Sequence, residues 1–229
     1  MSSTGRGSKK GGTRDFYVTP GWCIQLLAYS IMRLGKHEDG FDRVMDIGAF
    51  DGRIGSIVRD HVQKRLKLRS DYERIPLVMV DIKKPRVMFD PELLKYDVYW
   101  KGSYLGKCVR ERLDLALDAR KEKILFVSNP PFSKSLEIIT DVVERLEQCK
   151  KGSEAWFLLP LNWLGTLKRS DFLHKHSPYR IASLSPRPSF TGDGKTDSSE
   201  YCWMQWRQKG TAPPRKFLEV LVGPTKCKR

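Results

Sequence analysis

Apolar positions recur along this chain with two different periods, and the two alternate in blocks. In GWCIQLLAYSIMRLG (21–35), Ile24, Leu27, Ala28, Ile31 and Leu34 share one face at helical spacing and Gly35 supplies a stop, so a helix is predicted. DRVMDIGAF (42–50) is a short apolar run ending in acid and glycine. DGRIGSIVRDHVQKRLKL follows it with Ile54, Ile57, Val58, His61 and Val62 at helical spacing, giving the order strand, glycine turn, helix. IPLVMVDI (75–82) reads as a second buried strand that ends in an acid, and YDVYW (96–100) as a short third one. KILFVSNPPF (123–132) is a strand running into a Pro-Pro loop, SLEIITDVVERLEQC (135–149) an amphipathic helix, and EAWFLLPLNWL (154–164) a strand with its exit loop. RSDFLHKH then predicts a short helix, YRIASL (179–184) a strand, SPRPSFTGDGKTDSS a long polar loop, and EYCWMQWRQ (200–208) a final strand.

Strands alternating with helices imply an α/β fold in which a parallel sheet carries helices on both faces. The last two strands flank one loop and are expected to close an antiparallel hairpin at the sheet edge. No internal repeat is visible. Residues 1–14, rich in Gly, Ser and Lys, read as a flexible basic arm, residues 15–208 as one folded domain, and 209–229 as a basic C-terminal tail.

Composition adds a partner to this outline. With 229 residues the chain is long enough for one domain with a core of its own. At 40% hydrophobic and 10% aromatic it is too apolar for a wholly disordered basic protein. Its 42 Lys+Arg against 27 Asp+Glu leave a formal charge of +15, which points to a polyanion. Nine of those units lie in the two end segments: Arg6, Lys9, Lys10 and Arg14 with no acid, and six basic residues after 208 with only Glu219. Five cysteines without a CxxC pair argue against a disulfide framework or a structural zinc site. MSSTGRGSKKGG has no apolar signal core, and no stretch approaches the roughly 18 apolar residues that span a bilayer. A soluble protein of a reduced cytoplasm, with no membrane partner, is expected.

Three places carry candidate chemistry. The turn Asp46-Ile47-Gly48-Ala49-Phe50-Asp51-Gly52 sits between strand and helix, where an open α/β sheet binds a nucleotide and where only a residue without Cβ turns tightly enough to bring its amides to a ligand. Plain strand-to-helix turns use glycine too, so the turn alone does not decide. Asp81 strengthens it, because an acid ending the next strand can accept both hydroxyls of a ribose. The 35 residues between Asp46 and Asp81 exceed the roughly 20 of a dinucleotide fold, and a basic loop from Lys64 to Arg74 accounts for the excess. Ser128-Asn129-Pro130-Pro131-Phe132 is the most specific element. Its prolines end the strand and stiffen the loop, holding the Asn129 side-chain oxygen and the Pro130 carbonyl as fixed acceptors for an exocyclic amine, with Phe132 as a stacking face.

This set resembles the S-adenosylmethionine-dependent amino methyltransferases with a [DNS]PP[YFW] loop. The order Phe16-Tyr17-Val18-Thr19-Pro20, then DIGAFDG, then NPPF resembles the DNA adenine-N6 subclass, and most of all its small bacteriophage enzymes. The likeness covers residues 15–207 and includes RPSFTGDGKTDSSEYCWMQW (187–206). It implies a Rossmann-like class I fold with a mostly parallel seven-stranded sheet, helices on both faces and an antiparallel last strand. It implies S-adenosylmethionine as cofactor and DNA as partner, with the base flipped or single-stranded, in a bacterial or phage-infected cytoplasm. Tyr17, Thr19 and Pro20 would meet the methionine end of the cofactor, Asp46, Gly48 and Ala49 its amino group and backbone, and Asp81 its ribose. Asn129, Pro130, Pro131 and Phe132 would hold the target base, with Asn129 also beside the cofactor. Two departures stand out: Phe50 occupies a place where the family often has glycine, and Gly102-Ser103-Tyr104-Leu105 stands where an acid commonly meets the cofactor adenine, leaving Ser103 or Asp97 for that contact.

Other signals fail on context. Gly192-Asp193-Gly194-Lys195-Thr196 has Ser189 where a phosphate-binding loop needs glycine, and a strand pattern follows it. His37, His61, His174 and His176 offer no HxE with PCxxC, so a zinc deaminase is excluded, and the implied methyl transfer needs no metal. Two further readings stay open: methylation of RNA or of a protein amide through the same loop, and a nucleic-acid binder that has lost its activity. Short-site or relaxed specificity is expected, since the candidate insertions are only 64–74, 101–123 and 185–200. Deleting residues 1–14 should weaken DNA binding and reduce the slope of log K against log salt by up to about 3.6, one step of ~0.9 for each cation removed. Salt titrations measure this, and binding should be weakened more than transfer at saturating DNA is harmed.

Overall fold

A computed structural model describes residues 18–34, 40–65, 74–82, 97–116, 121–190, 196–212, 214 and 216–223. The chain runs α1 (Gly21–Leu34), β1 (Arg43–Ile47), α2 (Arg53–Arg65), β2 (Leu77–Asp81), β3 (Asp97–Lys101), α3 (Lys107–Ala116), β4 (Ile124–Ser128), α4 (Ser135–Leu146), β5 (Glu154–Pro160), α5 (Leu167–Lys175), β6 (Arg180–Ser185), β7 (Tyr201–Arg207) and β8 (Leu218–Val222). Single 3-10 turns precede α4 and α5. No helix among the described residues is long and apolar enough to cross a membrane.

Eight strands form one sheet in the order β3-β2-β1-β4-β5-β7-β6-β8. All pairs are parallel except those of β7, which runs antiparallel to β5 and to β6. The central strands β2, β1, β4, β5 and β7 are apolar on both sides because both faces are covered. Val44, Leu125, Val127, Trp156, Leu158 and Trp203 pack under α1 and α2. Met45, Ile47, Phe126, Phe157, Met204 and Trp206 pack toward α3, α4 and α5. The chain steps outward from β1 to β3 and then returns to place β4 on the other side of β1. The loops leaving β1 and β4 therefore diverge from a shared crevice at the carboxyl edge, the usual place for a ligand in such a sheet.

Parallel sheet, two-sided helices and the β6–β7 hairpin agree with the sequence pattern. Three features differ from it. The hairpin is not at the edge: β8 pairs outside β6, and β7 sits between β5 and β6, where Tyr201, Cys202, Trp203 and Met204 are at most 1% exposed. The sheet has eight strands rather than seven, because residues 218–222, within the segment read as a tail, pair in parallel with β6. Only Leu221 of that strand is buried, so its one-sided pattern reads as polar tail. On α2, His61 points outward and Arg59 takes the buried place, 2% exposed, beside Asp60.

α1 and β8 fasten each other. Arg33 pairs with Glu219 at 2.7 Å, and a Cβ at Gly223 would lie 2.4 Å from the Trp22 ring, so that glycine is required by the close approach. Leu221→Ala should cost about 2–4 kcal/mol by urea denaturation, while Val220→Ala on the exposed face stays within about 0.5 kcal/mol.

Candidate active site

The turn after β1 is built on conformations that glycine favours. Gly48 has φ 68° and Gly52 φ 72°, and Phe50 between them has φ 46°, the only non-glycine residue with positive φ among the described residues. A left-handed phenylalanine costs about 1–3 kcal/mol and persists only where its surroundings hold it. They do so here: the Phe50 N–H donates to Asp81 Oδ2 at 2.9 Å, and the N–H groups of Gly48 and Ala49 donate to the Val80 carbonyl at 2.8 and 3.1 Å. The turn is thereby laced onto the end of β2, with the Phe50 side chain facing the crevice.

Asp46 lies beneath this turn, fully buried. Its Oδ2 accepts the Gly55 N–H at 2.8 Å, and its Oδ1 has no partner among the described residues. Burial pushes its pKa up from 3.8 to about 7, outweighing the Gly55 bond, and the charges of Asp51 and Asp81 push the same way.

The loop after β4 meets this turn directly. The Ser128 hydroxyl donates to the Ile47 carbonyl, and a Cβ at Gly48 would sit 3.8 Å from Pro131 Cδ. Asn129 Nδ2 donates to Thr19 Oγ1 at 3.0 Å, which brings the segment ahead of α1 into the same site. The Phe132 carbonyl accepts the Ser135 hydroxyl at 3.0 Å, and the Trp163 indole N–H donates to Ser135 Oγ at 3.0 Å, tying the loop to the exit of β5. Phe132 packs toward Tyr201 with ring centroids 6.2 Å apart, and Phe190 of the late loop closes on Tyr201 at 4.7 Å.

The third wall is the turn after β3. The Gly102 N–H and the Tyr99 hydroxyl both donate to the Asp81 carbonyl, at 2.8 and 2.9 Å. The Tyr104 hydroxyl donates to Asp141 Oδ2 at 2.8 Å, and Asp141 also pairs with Arg110 and Arg145, so the turn is pinned to α4. Burial, reinforced by Asp141, pushes the Tyr104 pKa well up and keeps it a neutral donor.

Together these elements enclose a cleft of about 510 Å³. Of the residues singled out in the sequence, Thr19, Gly48, Ala49, Asp81, Ser103, Asn129 and Pro131 line it. Asp46 supports it from below, Pro130 is buried behind Asn129, Pro20 begins the turn into α1 by accepting the Cys23 N–H at 3.0 Å, and Phe132 stands against Tyr201. Tyr17 and the Asp97 side chain lie outside the described residues. Sequence reasoning missed Ile82, Ile138, Lys134 and Glu137, which also face the cleft; Lys134 and Glu137 pair at 2.9 Å. The position of Glu137 in the first turn of the helix after NPPF was the available signal. Apolar walls of Ile82, Leu105 and Ile138 near the Asp81 carboxylate suit a ligand with a flat ring and hydroxyls, such as a nucleoside.

No family model matches the chain, and no curated protein matches it in sequence. Solved structures do match. A Listeria monocytogenes protein described as a class I S-adenosylmethionine-dependent methyltransferase aligns with TM-score 0.61 at 13% identity, over 95% of this chain and 69% of its own. The chain has the Rossmann-like class I methyltransferase fold. The M protein of the type I restriction enzyme EcoKI (EC 2.1.1.72) aligns with TM-score 0.56 at 16% identity, over 95% of this chain and 51% of its own. A type I restriction-modification methyltransferase subunit from Streptococcus thermophilus gives TM-score 0.56 at 12% identity, over 90% of this chain and 47% of its own. The chain thus spans about half the length of these two. In this methyltransferase fold β8 is an addition to the seven strands expected for it.

Between about pH 4 and pH 7 the folded protein keeps a proton on Asp46 that the unfolded chain has released, so stability falls as pH rises through that window. Asp46→Asn retains an acceptor for Gly55 and removes the buried charge. It should raise stability at pH 8 by on the order of 3 kcal/mol and change it little at pH 4, read by urea denaturation at the two pH values.

Proposed function

We propose that the protein transfers a methyl group from S-adenosylmethionine to the exocyclic N6 amine of adenine in DNA, with relaxed or short-site specificity. The observation that carries this reading is the junction of Thr19, the Gly48 turn and Asn129 in one cleft, because it unites a nucleoside-binding site with a loop of fixed acceptors. The two type I restriction-modification proteins of the same fold support a DNA substrate, as does the formal charge of +15.

The residues present fit the cofactor. Asp81 stands at the cleft for the ribose hydroxyls, Ile82, Leu105 and Ile138 for the adenine faces, and Ser103 at its edge. The buried Asp46 carries an unpartnered Oδ1, an acceptor for the cationic amino-acid end of the ligand. When bound, S-adenosylmethionine supplies an electrophilic methyl group. The protein's own residues prepare the acceptor nitrogen, whose lone pair is delocalised into the purine ring and is therefore a poor nucleophile. Asn129 Oδ1 and the Pro130 carbonyl accept its two N–H bonds, drawing the nitrogen toward tetrahedral geometry and localising the lone pair. Phe132 stacks on the flipped base and offsets part of the unstacking cost.

Two measurements test the reading. S-adenosylmethionine should raise the melting temperature, and labelled cofactor incubated with DNA, RNA and protein should yield N6-methyladenine in DNA; label confined to RNA or to protein amides would reject the DNA assignment. Asn129→Ala should lower transfer at least about 100-fold, the scale of losing one group that stabilises a transition state, while cofactor binding remains measurable by calorimetry.

A further inference from the structure

We infer that Thr19 orients the Asn129 amide, so that the oxygen of the amide and not its NH2 group is presented to the acceptor amine. The inference rests on the proposed reading of the cleft and gives Thr19 a positioning role beyond contact with the cofactor. An asparagine amide is nearly symmetric in shape but opposite in polarity at its two ends. Turned one way, Asn129 accepts an N–H from the amine. Turned the other way, it sets donor against donor and expels the group it must hold.

Packing around a planar amide does not separate the two arrangements, so a polar neighbour must. Asn129 Nδ2 donates to Thr19 Oγ1 at 3.0 Å, across 110 residues of sequence. Thr19 is 5% exposed and leads directly into Pro20 and the start of α1, where the Cys23 N–H donates to the Pro20 carbonyl, so its backbone is restricted by the proline that follows it. With an amine in the cleft, only one arrangement leaves every donor facing an acceptor: amine N–H to Asn129 Oδ1, and Asn129 Nδ2–H to Thr19 Oγ1. The amine itself demands the Asn129 oxygen, and an unmatched Nδ2 in this half-buried place would then carry a desolvation penalty, so the threonine oxygen, accepting from Nδ2, stabilises the orientation that the amine requires.

Thr19→Val removes the hydroxyl at constant shape, and Thr19→Ser restores it. In the full-length protein, T19V should lower kcat about 10- to 100-fold, as when a partner that orients a reacting group is lost, with a smaller change in cofactor Kd. T19S should recover most of kcat. The same substitution in an N129D background should cost little, because a carboxylate presents an acceptor in either orientation. A signature independent of turnover is the Asn129 side-chain NH2 resonance pair in a 1H–15N spectrum, assigned by its loss in N129D: it should move in T19V and return in T19S. Equal loss of kcat in both backgrounds, an unchanged kcat, or an unmoved resonance pair would overturn the positioning role. If the unmodified protein methylates no nucleic acid, the functional reading falls by itself, and the resonance pair still decides whether Thr19 holds the amide.

Discussion

The Gly55 amide, in the first turn of α2, belongs to the N–H groups that a helix cannot satisfy from within, and the carboxylate that satisfies it comes from the middle of the sheet. That bond requires α2 to approach β1 and β2 so closely that a Cβ at Gly55 would fall 2.6 Å from Leu77 Cδ1 and 2.8 Å from Asp46 Cβ. Position 55 is thus limited to glycine by contact, while Gly48 and Gly52 are set by conformation. With the helix start fixed this close, only five residues remain to join β1 to α2, and the turn must adopt left-handed conformations in sequence. The same turn hands its amides to Val80 and Asp81 and its flank to Pro131. The cleft is the outcome of that one burial.

A buried aspartate is an unfavourable choice for stability alone, since desolvation works against the charge it must carry. Phe50 adds backbone strain within four residues of it. Two independent costs fall in one turn, the kind of local expense that recurs at functional sites.

How far the sequence speaks depends on the kind of signal. β1, β2, β4, β5 and β7 are apolar on both faces, so their runs are legible without knowing their neighbours, and α4 shows its buried stripe plainly. Most of the cleft lining could be read because conformational residues, glycines and prolines, frame it. α3 was not legible, since Val109 and Leu113 are the buried apolar residues it contributes among the described side chains, and charges fill the spaces between them. β8 was missed because an edge strand with one buried residue carries almost no pattern. The insertion of β7 between β5 and β6 is a matter of pairing, which local periodicity does not encode. The inward Arg59 and outward His61 lie two positions apart on α2, and periodicity alone favoured the less charged of them.

The mutual fastening of α1 and β8 bears on the order in which the cleft is anchored. The segment that carries Thr19 enters α1, and α1 is held by Trp203, whose indole donates to the Cys23 carbonyl across 180 residues, and by Glu219, which meets Arg33 across 186. During synthesis from the N-terminus these partners emerge 180 and 186 residues after the groups they meet, so α1 can pack on α2 and the early strands well before its last two fastenings form. The cleft walls contributed by β1, β2 and β4 precede β7 and β8 in the chain, and the last constraints on the helix behind Thr19 come from those two strands. Full anchoring of the Thr19 segment is thereby tied to strands that lie far downstream of the cleft's own walls.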